Sequence, residues 1–423
     1  MNTRPPIVAS NPVSDGRFLG VNFNQDYSCF SCSTQTGFMV FNVDPLECKL
    51  SRQFSNGNAS GIATTRMLYR TNYVALVGGG RKPRYPPNKL VIWDDLQQRE
   101  SITLSFMSAV KEMFLSRVHI VVVLENSIEI YEFSASHKRL ISPLETCAGA
   151  AADFVVCQRT MRRLSATQAQ ASSGNIPQTI TKGILAFPSA RNPGQVQVAD
   201  LSHLQSSEIE ERAATQLPTS IIKAHKTPIR LIKLSPNGSM VATCSQQGTI
   251  IRIFSTQNGS LLGEFRRGLD RADLYEMAWS PRSNRLAVVS DKQTLHIFQV
   301  TDEDGDMKNK THVLKDVPFF WKPKYLDSTW SMCSLHLRSA LKGRDSMNDQ
   351  DFYNDRCKLG WCQEGDEDSL VLIWKQSGVW EKYAILEKEP KTYAVNETLQ
   401  TSVTAQNQNK KHWEIVRESW RKL

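Results

Sequence analysis

Short apolar runs separated by polar turns recur along this chain, and the runs have strand length. Met240-Val241-Ala242-Thr243-Cys244-Ser245 is one, and after the polar Gln246-Gln247-Gly248-Thr249 a second runs from Ile250 to Phe254. Ser235-Pro236-Asn237-Gly238 opens this unit as a turn. Apolar and β-branched residues bounded by turn formers predict a β-hairpin rather than a helix.

The unit is repeated. Ser280-Pro281-Arg282-Ser283 opens a second copy, followed by Leu286 to Ser290, Asp291 to Thr294 and Leu295 to Phe298. Ser235 and Ser280, Ser245 and Ser290, and Thr249 and Thr294 are each 45 residues apart. That is the blade period of WD40-type β-propellers. Weaker copies lie at Cys29 to Phe41, Tyr73 to Asp94, Val118 to Tyr131, Gly183 to Asp200 and Ser369 to Trp374. Two strong and five weak copies predict an all-β, seven-bladed WD40-like propeller with loop insertions. One small sheet cannot bury both faces alone, whereas a ring of sheets can.

Seven blades need about 280–315 residues, and the chain has 423. The expected organisation is a flexible N-terminus (1–16), a propeller (17–386) and a polar C-terminal tail (387–423) with short helical potential around Trp413 and Trp420. Insertions are expected near 160–181, 301–324 and 339–368.

Composition narrows the class. Hydrophobic residues at 40% and charged residues at 22% describe a globular chain. The first 15 residues carry Arg4 and prolines but no apolar run, unlike a signal peptide. The longest aliphatic run, Ile120 to Leu124, is too short to span a bilayer. Nine unpatterned cysteines fit reduced thiols, so the cytosol is the expected compartment. Cys29 and Cys32 form a C-x-x-C without a second pair, and on a strand they point to opposite faces, a poor metal site. No Walker loop, Gly-x-Ser-x-Gly elbow or His-Glu-x-x-His helix occurs. Gly78-Gly79-Gly80 reads as a tight turn. No enzyme activity, cofactor or metal is expected, although the fold alone does not exclude an enzyme.

The net charge of +9 is concentrated. From Ile221 to Val300, eleven Lys and Arg stand against five Asp and Glu. At the centre lies Phe265-Arg266-Arg267-Gly268, leaving one strong repeat and entering the next. In an extended segment adjacent side chains point opposite ways, so Arg266 and Arg267 serve different neighbours. Guanidinium, hydroxyl and imidazole together suit a phosphate. The bland alternatives are solvated arginines, and Ser and His bonded to backbone.

The segments Ala224-His225, Phe265-Arg266-Arg267-Gly268 and His296-Ile297-Phe298 resemble the PROPPIN family, seven-bladed phosphoinositide-binding propellers called WIPI proteins in animals. Phe23 to Asp26, Leu76 to Gly80, Ile92 to Asp95 and Asp327 to Ser331 also resemble family segments. The resemblance covers about residues 17 to 385 and points to the branch that works with a lipid-transfer partner in autophagy. It implies two headgroup sites. The first uses His225, Ser245, Thr249, Arg252 and Arg266; the second uses Arg267, Ser290, Lys292, Thr294 and His296. Gln293 departs from the family, which usually has glycine there. The resemblance also implies membrane insertion by Phe319, Phe320 and Trp321, whose rings and flanking lysines suit an anionic interface. The alternative there is that these rings pack inward as a strand. Asn24 and Asp26 are partner-contact candidates on the same ground.

The expected function is therefore binding of phosphatidylinositol 3-phosphate and 3,5-bisphosphate by a monomeric protein, cytoplasmic and peripheral on phagophore and endosomal membranes, where it scaffolds autophagosome formation. The competing readings are a WD-repeat scaffold that binds only proteins, with the arginines incidental, and a nucleic-acid binder, which would show a steep salt dependence and no stereospecificity for the 3-phosphate.

Overall fold

The computed structural model describes residues 18–54, 59–149, 151–161, 178–205, 217, 219–301, 308–311, 328–337, 355–362, 368–388 and 412–423. These form seven sheets of antiparallel strands, one of which also takes up a short parallel strand, and they are the blades of a propeller. Blade 1 is β1 (Gly20–Phe23), β2 (Cys29–Ser33), β3 (Gly37–Asn42) and β4 (Glu47–Gln53). Blade 2 is β5 (Ile62–Met67), β6 (Tyr73–Gly78), β7 (Lys89–Asp94) and β8 (Arg99–Ser105). Blade 3 is β9 (Glu112–Leu115), β10 (His119–Val123), β11 (Ser127–Glu132) and β12 (Leu144–Glu145). Blade 4 is β13 (Asp153–Met161), β14 (Gln178–Pro188), β15 (Gln195–Asp200) and β16 (Thr219–Lys223). Blade 5 is β17 (Ile229–Leu234), β18 (Met240–Ser245), β19 (Ile250–Ser255) and β20 (Leu261–Arg266). Blade 6 begins with β21 (Leu274–Trp279), β22 (Arg285–Ser290) and β23 (Thr294–Gln299). The chain then returns to blade 5 with β24 (Thr329–Trp330) before β25 (Cys333–His336) completes blade 6. Blade 7 is β26 (Cys357–Trp361), β27 (Ser369–Trp374), β28 (Val379–Lys388) and β29 (His412–Lys422).

The apolar runs become the second and third strands of each blade. β2 and β10 are buried at every position, whereas the outer β4 is mostly exposed. The described core falls into seven clusters, one between each pair of adjacent blades. Cys29 packs in the cluster between blades 1 and 2 and Cys32 in that between blades 7 and 1, on opposite faces of β2.

The turns that open the two strong repeats share one device. Ser235 Oγ accepts from Met240 N at 3.0 Å, and Ser280 Oγ accepts from Arg285 N at 3.0 Å. Each hydroxyl closes its hairpin, which is why serine recurs there. Polar staples then join the inner strands. Asn22 Nδ2 donates to Thr65 O at 2.9 Å, Trp279 Nε1 to Lys233 O at 3.0 Å and Trp361 Nε1 to Ala278 O at 2.9 Å. Phe18 N donates to Lys375 O at 2.9 Å where the ring closes. Among the described residues no helix is long and apolar enough to cross a membrane.

Three expected boundaries change. The segment read as a tail supplies β29, paired with β28 along its length, so blade 7 ends at Lys422 and the region around Trp413 and Trp420 is strand, not helix. β26 lies inside the expected 339–368 insertion. β13 and β14 reach Met161 and Gln178, which shortens the expected loop at 160–181. Residues 1–16 lie outside the described residues.

Trp361 is fully buried and bridges two blades. Replacing Trp361 with Ala is expected to cost about 3–5 kcal/mol. Urea unfolding followed by circular dichroism checks this, with Trp361→Phe expected to lose less.

Candidate functional site

The alternation of blade 5 decides where its polar side chains go. Val241 and Phe254 pack against blade 4, whereas Ala242, Cys244, Ile251, Ile253 and Phe265 pack against blade 6. Thr243, Arg252 and Glu264 are cross-strand partners on the blade 4 face. His225, just beyond β16, reaches them: its Nε2 and Thr243 Oγ1 share a hydrogen bond of 3.0 Å. Arg252 donates from Nη1 to Ala224 O at 2.7 Å and from Nε to Glu264 Oε2 at 2.8 Å. Arg266, opposite Ile250, belongs to this same face.

Arg267 follows and turns to blade 6. Its backbone N donates to Thr249 O at 2.9 Å and its Nε to Gly248 O at 3.1 Å. Its Nη2 donates to Asp270 O at 2.5 Å, and its charge acts on His296 and Asp291 of blade 6. His296 lies opposite Val288 on the blade 6 face that packs against blade 5, and stacks on Phe298. Ser290 is buried and its Oγ lies 3.5 Å from Thr294 Oγ1. Lys292 is exposed beside them.

The ten expected residues thus fall around two clefts on one rim, between blades 4 and 5 and between blades 5 and 6. The 45-residue period does not hold throughout. Thr243 opposite Arg252 answers Val288 opposite His296, so the register slips by one residue after the turn. Arg252 is therefore the positional counterpart of His296, and Thr249 lies in the turn before β19 while Thr294 begins β23. Gln293 keeps the turn expected of glycine: its φ is 53°, and its N donates to Ser290 O at 2.8 Å. Gly248 has φ 63° and makes the matching bond to Ser245 O at 3.0 Å.

Two residues escaped the sequence reading of the site. Ser328 Oγ accepts from Arg266 Nε at 2.7 Å, and Ser331 Oγ lies 3.2 Å from His296 Nδ1. They flank β24, which runs parallel to β20 with Thr329 beside Phe265 and Trp330 beside Arg266. One short segment therefore touches a residue of each cleft. The only signal was that Asp327 to Ser331 resembled a family segment without a role. Phe319, Phe320 and Trp321 lie outside the described residues. Asn24 is buried, its Nδ2 donating to Ser28 Oγ at 3.1 Å and its Oδ1 accepting from Cys29 N at 3.1 Å, so its side chain shapes a turn. Asp26 is half-buried and accepts from Ser28 N at 3.0 Å and Ser28 Oγ at 2.6 Å.

Two cavities lie elsewhere. One of about 280 Å³ is in the central channel, where Lys233, Glu276, Lys358 and Asp153 interlock; one of about 710 Å³ opens between blades 4 and 5 on the other rim. Of the two arginines, Arg266 is half-buried, whereas Arg267 is buried with its guanidinium on the Gly248 and Asp270 carbonyls.

A family model described as PROPPIN matches residues 175–312. SVP1-like protein 2 of Eremothecium gossypii is 51% identical over the whole of both chains, and SVP1-like protein 2 of Saccharomyces cerevisiae is 48% identical, again over the whole of both. The solved structure of Kluyveromyces lactis Hsv2 with a complete loop 6CD is 30% identical, covers 96% of this chain and 99% of its own, and superimposes with a TM-score of 0.66.

Burial pushes the His225 and His296 imidazoles down to about 4, helped by Arg252 beside the first and by Arg267 and Lys310 beside the second. Both are therefore neutral at pH 7. Unfolding frees them to titrate near 6.5, so the unfolded chain binds more protons between about pH 4 and 6.5, and stability falls as pH drops through that window. Melting temperatures across the window should show this, and His296→Gln should flatten the slope.

Proposed function

This chain belongs to the PROPPIN family, and we propose that it works as a non-catalytic receptor for phosphoinositides carrying a 3-phosphate. The observation that carries the reading is the opposite facing of Arg266 and Arg267. These consecutive arginines, the last residue of β20 and the first beyond it, turn to two different neighbouring blades, each with an imidazole within the same group of residues. An arginine fork takes two oxygens of a phosphate monoester, and hydroxyls at the cleft serve the remaining oxygen. Neutral imidazoles contribute hydrogen bonds rather than charge, so the arginines carry the electrostatic attraction.

Two sites on one rigid rim favour a surface over a free headgroup, because the second capture is intramolecular. The reading extends to a peripheral protein on phagophore and endosomal membranes that takes 3-phosphate and 3,5-bisphosphate lipids. There it would scaffold autophagosome formation with a lipid-transfer partner. The first three blades are the proposed partner side, with Asp26 the more accessible of its two named candidates and Asn24 a support.

Flotation with phosphatidylcholine vesicles, plain or doped with phosphatidylinositol 3-phosphate, tests the reading. The wild-type chain is expected to float only with doped vesicles. Arg266→Ala combined with Arg267→Ala should abolish this while the circular dichroism spectrum stays unchanged. Equal flotation of the double variant would overturn the assignment of the clefts.

A further inference from the structure

We propose that Leu269 is a membrane-contacting residue, an apolar tip set between the two arginine clefts to enter the headgroup boundary of an anionic bilayer. This inference rests on the reading of the clefts as phosphoinositide sites and adds a contact that those sites do not contain.

Leu269 belongs to the link from β20, the outermost strand of blade 5, to β21, the innermost strand of blade 6. In an antiparallel meander such a link shares its rim with the turn between the second and third strands. The bonds of this link to Gly248 and Thr249 place it there. The link is held at both ends. Arg267 joins Gly248 O and Asp270 O, and Ala272 N donates to Gln247 O at 3.1 Å. Ala272 is buried, yet Leu269 between these anchors is 66% exposed. A methyl built on Gly268 would meet nothing within 4 Å, so the surface beside the tip is open.

A fixed loop that holds a leucine in water exposes apolar surface without covering any neighbour. A single exposed leucine is ordinary on a protein surface. This one is distinguished by its setting. Half-buried Arg266 and buried Arg267 precede it, exposed Arg271 follows, and exposed Lys292 lies on the adjoining turn of blade 6. The exposed Asp270 carboxylate opposes them, and the balance stays positive. Cations around an apolar tip match an interface with anionic headgroups outside and hydrocarbon beneath. A soluble anion would use the cations and leave the leucine idle; a bilayer uses both.

The test compares the wild-type chain with Leu269→Ser and Leu269→Trp. Each is measured on vesicles of phosphatidylcholine doped with phosphatidylinositol 3-phosphate and, separately, on soluble inositol 1,3-bisphosphate. Leu269→Ser should weaken vesicle binding about ten-fold, the scale of burying one leucine side chain. Leu269→Trp should match or strengthen it. Both should bind the soluble headgroup as the wild type does. Vesicle binding unchanged by Leu269→Ser, with the wild type binding well, would overturn the inference and leave the cleft assignment standing. A parallel loss of soluble binding would show that Leu269 shapes a cleft rather than touching lipid, and would also overturn it. No preference of the wild type for doped over plain vesicles would remove the cleft reading and this inference together.

Discussion

Each blade has two apolar faces, and neither is buried until its neighbours stand beside it. The seven core clusters lie between blades rather than within them, so the ring is the smallest unit that removes these residues from water. Apolar packing sets the spacing of blades but not their height relative to one another. The polar staples between inner strands supply that. Trp279 to Lys233 O and Trp361 to Ala278 O are directional bonds in a buried setting, and sliding either blade would break them. The last gap is closed in the same way, by Phe18 N on Lys375 O above the cluster that blades 7 and 1 share.

A ring held from its inner strands leaves its rim free to carry polar side chains in fixed positions. Strand geometry then separates Arg266 from Arg267 at no cost in length: one residue of rise moves a guanidinium from one inter-blade cleft to the next. The same charge on a helix would lie on one face and serve one site. The segment Ser328 to Ser331 adds a cross-tie, holding Arg266 at one end and His296 at the other. The arginine side chains are thus held in place by the fold itself, through backbone carbonyls and Ser328.

The ring and the opposite facing of Arg266 and Arg267 were legible because local rules produce them. The Ser-Pro turns, the apolar second and third strands and the alternation through Arg266 and Arg267 all act over a few residues. β29 was not legible. An outermost strand is held by backbone pairing with β28, and most of its described positions are only half-buried, so His412 to Lys422 carries too few apolar positions to read as core. Ser328 was hidden for a different reason. Its partner lies 62 residues away, and a single serine announces no such contact. The slip between Thr249 and Thr294 is subtler. Equal sequence spacing concealed a turn in blade 5 that holds one residue more before its third strand begins.

That slip explains why the two turns make different demands on glycine. Gly248 and Gln293 share a left-handed backbone and the same bond to the preceding serine. A Cβ at Gly248, however, would come within 1.8 Å of Ala272 O, because the longer turn of blade 5 lies against the link that carries Arg267 and Leu269. Close approach of backbone to backbone, more than the positive φ, requires glycine there. Gln293 accepts the modest strain of that region and is buried, while its carbonyl receives Leu337 N at 2.8 Å. The glycine expected at position 293 can thus be replaced without losing the turn. At position 248 the same replacement would push apart the two segments that hold Arg267 in its cleft.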